Sequence, residues 1–112
     1  MIKNIGVDME SVSRFRQKRP SFLKKIMSAR ERREMGDYNP QRVAGIFCAK
    51  EAIIKACASK ERIHFEHIEI LHRKNGAPYA AIRSKKITSG NVKISISHTK
   101  DHAIAIAILL KV

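Results

Sequence analysis

The chain has 112 residues, which against a typical domain of about 150 allows one domain and leaves no room for a second. Its 44% apolar and 29% charged residues fit a globular domain and exclude collagen-like and disordered classes. Lys and Arg number 23 against 10 Asp and Glu, a formal charge of +13 that draws anionic partners and repels cationic ones.

Ile2, Ile5 and Val7 open the chain as a short apolar strand, with Ile5 and Val7 on one face and Asp8 on the other near its end. Gly6 permits close backbone approach. Residues 11–33 read as helical and basic, divided at Pro20 and Ser21, with Phe22, Leu23 and Ile26 as an apolar stripe. Ser28 followed by Glu31 is a capping-box pattern and predicts a short helix to Gly36. Asn39 before Pro40 predicts a helix start, because Asn caps orphan amides and proline at the first position loses no needed donor. That helix runs to about Ser59, roughly 30 Å. Its middle, GIFCAKEAIIKACA, is apolar nearly all round, so it is the buried central helix and its exceptions Lys50, Glu51 and Lys55 carry information.

His67–Leu71 and Tyr79–Ile82 predict two strands around Asn75-Gly76, the preferred dipeptide of a tight hairpin turn, with Pro78 marking an edge or a bulge. After a polar link from Arg83 to Gly90, Ile94 and Ile96 alternate with Ser95 and Ser97, His98 to His102 turns, and Ala103 to Leu110 alternates Ala with Ile. Small residues on one face and large on the other predict a strand covered on both sides, with a helix on the alanines. The expected fold class is α+β, an antiparallel sheet packed against a long helix, with residues 1–112 as a single domain.

Cys48 and Cys57 lie on opposite faces of the long helix, about 13 Å apart along its axis, and cannot bridge. They are expected as reduced, buried thiols in a cytoplasmic protein. Asp8 interrupts the stretch where a secretory leader would be apolar, and the run Ala103 to Leu110 is far short of the roughly 20 residues of a membrane helix. No membrane partner is expected.

Four constellations could carry chemistry. Asp8 and Glu51 together supply the hard oxygen donors that Mg²⁺ takes alongside substrate phosphates and water; read separately, Asp8 is a helix cap and Glu51 an i,i+4 partner of Lys55. The apolar surroundings of Glu51 favour function over a stabilising pair. Lys55 offers a point charge for a phosphate oxygen. SISH, Ser95 to His98, presents hydroxyls and an imidazole at a strand end, or is an ordinary hairpin. The basic run from Arg14 to Arg33 is a solvated face, or a surface for nucleic acid or an acidic protein. The absence of Trp and the 5% aromatic content leave few stacking platforms for single strands.

Taken together, IGVDMESVSRF (5–15), FCAKEAIIKA (47–56), NGAPY (75–79) and ISISHTKDHAIAIAIL (94–109) resemble the holo-acyl-carrier-protein synthases, small single-domain 4′-phosphopantetheinyl transferases. The resemblance spans nearly the whole chain in the family's order. It implies transfer of the phosphopantetheine arm of coenzyme A to a serine of apo acyl carrier protein, with release of adenosine 3′,5′-bisphosphate. Asp8 and Glu51 then look like Mg²⁺ ligands, Lys55, Ser97 and His98 like coenzyme A contacts, and Gly76 and Pro78 like the turn near that substrate. Arg14 looks like the residue facing the acidic carrier, with Asp8, Glu51 and Lys55 as the catalytic set and Glu51, through a water, as the base. A homotrimer with sites between subunits is implied as well. The alternative is a basic nucleic-acid-binding module without catalysis.

Three positions depart from the family pattern. Ser11 stands where Glu is usual, with Glu10 before it; Ile46 stands where Arg is common; and Cys57-Ala58-Ser59 replaces a glycine turn.

Overall fold

The computed structural model describes residues 1–111. Strand β1 (Ile2–Ser11) leads through a 3-10 turn (Val12–Phe15) to helices α1 (Pro20–Ile26), α2 (Ala29–Met35) and α3 (Pro40–Cys57). Strands β2 (Ile68–His72), β3 (Pro78–Ile82), β4 (Val92–His98) and β5 (His102–Leu110) follow. All pairings are antiparallel: one sheet has the order β1-β5-β4 and the other pairs β2 with β3.

Local signals set the helix starts. The Asn39 side chain accepts from the Arg42 amide at 3.1 Å, and Pro40 takes the first turn of α3. Ser28 and Glu31 complete the capping box of α2, Ser28 Oγ accepting from Glu31 N at 3.1 Å and Glu31 Oε1 from Ser28 N at 2.8 Å. Helix α3 is buried continuously from Val43 to Lys50 and ends two residues before the predicted Ser59.

Helix α3 lies across the alanine face of β5, where Ala103, Ala105 and Ala107 are buried. Its two ends reach different edge strands. Near its start, Gly45 packs against Ile96 of β4; toward its end, a Cβ on Gly6 of β1 would collide with the carbonyl oxygen of Ala52. The glycine lets β1 settle onto the helix backbone.

Three expectations need correction. The stretch from Ser11 is not helical at first: β1 stays in register with β5 as far as Ser11↔His102, so Asp8 sits inside a ladder and only Val12–Phe15 coils before Pro20. Inter-strand hydrogen bonds outweigh local helix preference there. The β2–β3 connection is a loop of residues 73–77 with Gly76 at φ 89°, not a two-residue turn, since Arg73 N bonds Ala77 O at 2.9 Å and Gly76 N bonds Arg73 O at 2.9 Å. Strand β5 is covered on its alanine side only. On the other face Ile104 and Ile106, with Ile5, Val7 and Met9 of β1, lie exposed within this chain.

Candidate active site

Alternation along β1 turns Gly6, Asp8 and Glu10 toward α3 while Val7 and Met9 face out. Two turns above Cys48, Lys55 reaches back from the helix. Its Nζ donates to Val7 O at 2.9 Å and stands 3.4 Å from Asp8 Oδ1. Asp8 is 13% exposed, and its Oδ2 is buried with no hydrogen-bond partner among the described residues. Asp8 therefore caps nothing, and Lys55 is paired with Asp8 rather than with Glu51.

Burial pushes the Glu51 carboxyl above its ordinary range, the Asp8 charge and then Glu10 push the same way, and Lys55 and Arg14 oppose them. Beneath this cluster, burial and the Asp8 and Glu10 charges drive the Cys48 thiol up to about 12; it donates to Ala103 O at 3.5 Å. A carboxylate with an orphaned oxygen beside a second carboxyl whose pKa it raises is a donor set open to a cation. Its all-oxygen character fits a hard divalent ion such as Mg²⁺. Among the described residues no three His, Cys, Asp or Glu side chains converge, so two carboxylates with open positions is what the chain offers. Glu10, which the sequence left beside the family's usual position, shares Asp8's face and is engaged by Arg14 Nη1 at 2.8 Å. The Arg14 guanidinium also lies 4.8 Å from the Phe47 ring centre.

A second group gathers at the other end of α3. Gly76 and Pro78 from the β2–β3 loop and His98 from the end of β4 line a cavity of about 290 Å³ with Arg42, Ile46 and His72. SISH is thus both the edge of a hairpin, closed by Thr99 N to His102 O at 2.8 Å, and the carrier of a cavity imidazole. Ser97 is exposed on the other face of β4, opposite Ile104, outside this cavity. Asp8, Glu51 and Lys55 do not line it either. From Arg42 to Glu51 the helix runs about 14 Å, so within one chain the two groups stand apart. Arg42 and His72 went unremarked in the sequence; the signal for Arg42 was its i−4 spacing from Ile46, which puts it on the same helix face.

A sequence profile of the 4′-phosphopantetheinyl transferase superfamily matches residues 4–107. The chain belongs to that superfamily. Within it, this transferase is 36% identical over 121 residues to the holo-(acyl-carrier-protein) synthase of Caldicellulosiruptor bescii, covering 99% of this chain and 100% of that protein. Among solved structures it is similar to the holo-(acyl-carrier-protein) synthase of Bacillus anthracis in complex with coenzyme A (3′,5′-ADP), with TM-score 0.81, 32% identity and 97% and 96% of the two chains covered. The Helicobacter pylori synthase in complex with coenzyme A matches with TM-score 0.80 and 29% identity over 94% of this chain and 98% of that one. The transferase is thus an enzyme of the holo-acyl-carrier-protein synthase class, and the nucleic-acid alternative gains no support. No described helix is long and apolar enough to cross a membrane.

Proposed function

We propose that the chain transfers the 4′-phosphopantetheine arm of coenzyme A to a serine hydroxyl of apo acyl carrier protein and releases adenosine 3′,5′-bisphosphate, with Asp8 and Glu51 holding Mg²⁺. The observation that carries this reading is the unpartnered Asp8 Oδ2 beside the raised Glu51 carboxyl and Lys55. The serine oxygen bonds to the phosphorus that bears pantetheine, the bond to the bridging oxygen breaks, and its electron pair leaves with the bisphosphate. A bound divalent cation would supply charge neutralisation at the diphosphate.

The chain's own groups do the rest. Lys55, half-exposed and fixed by Val7 O, places an ammonium where charge accumulates on the leaving bisphosphate. Glu51, whose basicity burial and the Asp8 charge raise, accepts the serine proton through a water. Gly76, Pro78 and His98 hold the nucleotide end. The nucleophile comes from the partner, which accounts for the inert burial of Cys48 and Cys57. Arg14 and the exposed cations of α1 and α2 meet the acidic carrier, steering it by long-range attraction that weakens with salt.

We further infer a homotrimer whose sites lie between subunits. Two considerations support it: the half-sites are parted by most of the length of α3, and the outer sheet face leaves Ile5, Val7, Met9, Ile104 and Ile106 in water. Ser97 lies on that face and would contact coenzyme A held by a neighbour.

Incubation of apo carrier with coenzyme A and Mg²⁺ should add the mass of one arm per carrier. No addition with any carrier, or full activity in Asp8→Ala and Glu51→Ala, rejects the reading. Ile106→Glu should yield an inactive monomer on sedimentation; an active monomer removes the trimer.

A further inference from the structure

The turn that follows β1 folds a cation back over the strand it leaves. Glu10 is next to last in β1, on the face it shares with Asp8, and Arg14 lies four residues on in the 3-10 turn. Arg14 Nη1 donates to Glu10 Oε1 at 2.8 Å. Two rings make a shelf for the guanidinium: the centre of Phe47 is 4.8 Å from it and that of Phe15 5.6 Å, and the two ring centres are 5.4 Å apart. Both rings belong to the buried core, so the shelf is fixed. Arg14 stays half-exposed, whereas the Glu10 side chain is 20% exposed. The guanidinium is therefore held at one nitrogen and against the rings, and among the described residues its other N–H groups meet no acceptor. Phe47 stands one turn before Glu51 on α3, which sets Arg14 beside the carboxylate cluster, where Glu51 feels its charge.

We propose that Glu10 is a positioning residue for carrier recognition: it clamps Arg14 on the Phe15–Phe47 shelf, so that the free N–H groups of the guanidinium are presented to a carboxylate of the docking acyl carrier protein. The inference rests on the transfer reading above, in which the serine arrives on an acidic partner. A serine that reaches the Asp8–Glu51 cluster brings the carrier surface around it over Arg14, the cation at the rim. The exposed Lys18, Arg19, Lys24 and Lys25 supply charge without direction, because a long side chain in water gives up its rotamer freedom only when a partner fixes it. Arg14 has given up that freedom before the carrier arrives, and the carboxylate meets a fork already in place. Two effects of Glu10 oppose each other here. Its negative charge offsets part of the attraction of Arg14, but at this exposure water and salt screen it, and the ordering of the long side chain outweighs it. Loss of the carboxylate should therefore weaken docking even though the chain becomes more positive.

The test is steady-state arm transfer with apo carrier varied at saturating coenzyme A and Mg²⁺, on the parent, Glu10→Gln, Arg14→Ala and the double variant. Calorimetric binding of apo carrier without coenzyme A or metal accompanies it. Glu10→Gln keeps the size of the side chain and drops its charge. It should raise the carrier KM and Kd by about threefold to tenfold and leave kcat and the coenzyme A KM within about twofold of the parent. In the Arg14→Ala background the same substitution should change kcat/KM for the carrier by less than about twofold, because Glu10 then has nothing to position. Additive losses overturn the proposal, and so does tighter carrier binding by Glu10→Gln, the sign that a competing carboxylate would give. A fall in kcat with a raised Mg²⁺ requirement overturns it too, since that would put Glu10 in the cation site. A parent that transfers the arm while Glu10→Gln matches it in every constant ends the positioning role and leaves the transfer reading intact. A parent that transfers nothing removes both.

Discussion

Helix α3 carries two lysines five residues apart, each opposite a carboxylate, and their surroundings assign them different work. Lys50 is 2% exposed in its side chain, and its Nζ donates to Glu31 Oε1 at 2.7 Å and to Ile26 O at 2.8 Å. Glu31 is equally occupied: Oε1 also takes the Ser28 amide, and Oε2 takes the Ile70 amide at 2.7 Å. Every charge in that pair is answered, and it joins α1, α2, α3 and β2. Burial pushes the Lys50 ammonium below its ordinary value, with Glu31 pulling it back. Lys55 is 52% exposed, touches Asp8 at 3.4 Å, and leaves Asp8 Oδ2 unanswered. A satisfied buried pair is architecture, whereas a pair with a spare oxygen beside the raised Glu51 carboxyl is what the proposed cation site requires.

The comparison can be broken most easily at its buried end. Lys50→Met strands the Glu31 carboxylate and should cost about 3–5 kcal/mol in urea unfolding. A loss near zero would mean that the pair is ornamental. At the other end, Asp8→Asn should lower kcat for arm transfer by roughly 10²–10³-fold while shifting stability by no more than about 1 kcal/mol. If stability fell with activity, Asp8 would belong to the architecture too. Lys55→Met sharpens the contrast with a smaller loss, roughly tenfold to a hundredfold in kcat with an unchanged melting curve. Cys48, held up to about 12 by burial and by the Asp8 and Glu10 charges, should resist iodoacetamide at pH 8 until the chain unfolds, as mass spectrometry would report.

The smallest effect concerns a third cluster of intermediate exposure. Burial raises the Glu34 carboxyl, but hydrogen bonds and charge from His72, with Arg42, outweigh it and leave its pKa below the ordinary 4.5. A carboxyl lowered in the folded state contributes stability that is complete above the unfolded pKa and disappears as pH falls through the folded value. The stability gap between the parent and Glu34→Gln should therefore be present at neutral pH and shrink as pH falls below the ordinary 4.5 and through the lowered folded value. A gap that widened on acidification would contradict the lowered carboxyl.

Much of the fold was legible in local chemistry. The capping residues Ser28, Glu31 and Asn39, the proline at position 40 and the Ala/Ile alternation of residues 103–110 act through neighbours a few positions away, so they predict helix starts and a helix-facing strand directly. Asp8, Glu51 and Lys55 were marked by residue type, and Gly76, Pro78 and His98 by the family resemblance that the motifs along the chain carry together. Four things needed the tertiary structure. The length of β1 was set by pairing with β5, a partner some hundred residues away, against local helix preference. The orphaned Asp8 oxygen exists because β1 and α3 meet at Gly6, a contact that no linear pattern encodes. Arg42 and His72 became partners across 30 residues of chain, and the two side-chain groups separated because α3 touches β4 with its start and β1 with its end. Capping and alternation are energies between near neighbours and are written in order along the chain; burial, charge coupling and cavity shape are sums over groups that only folding brings together.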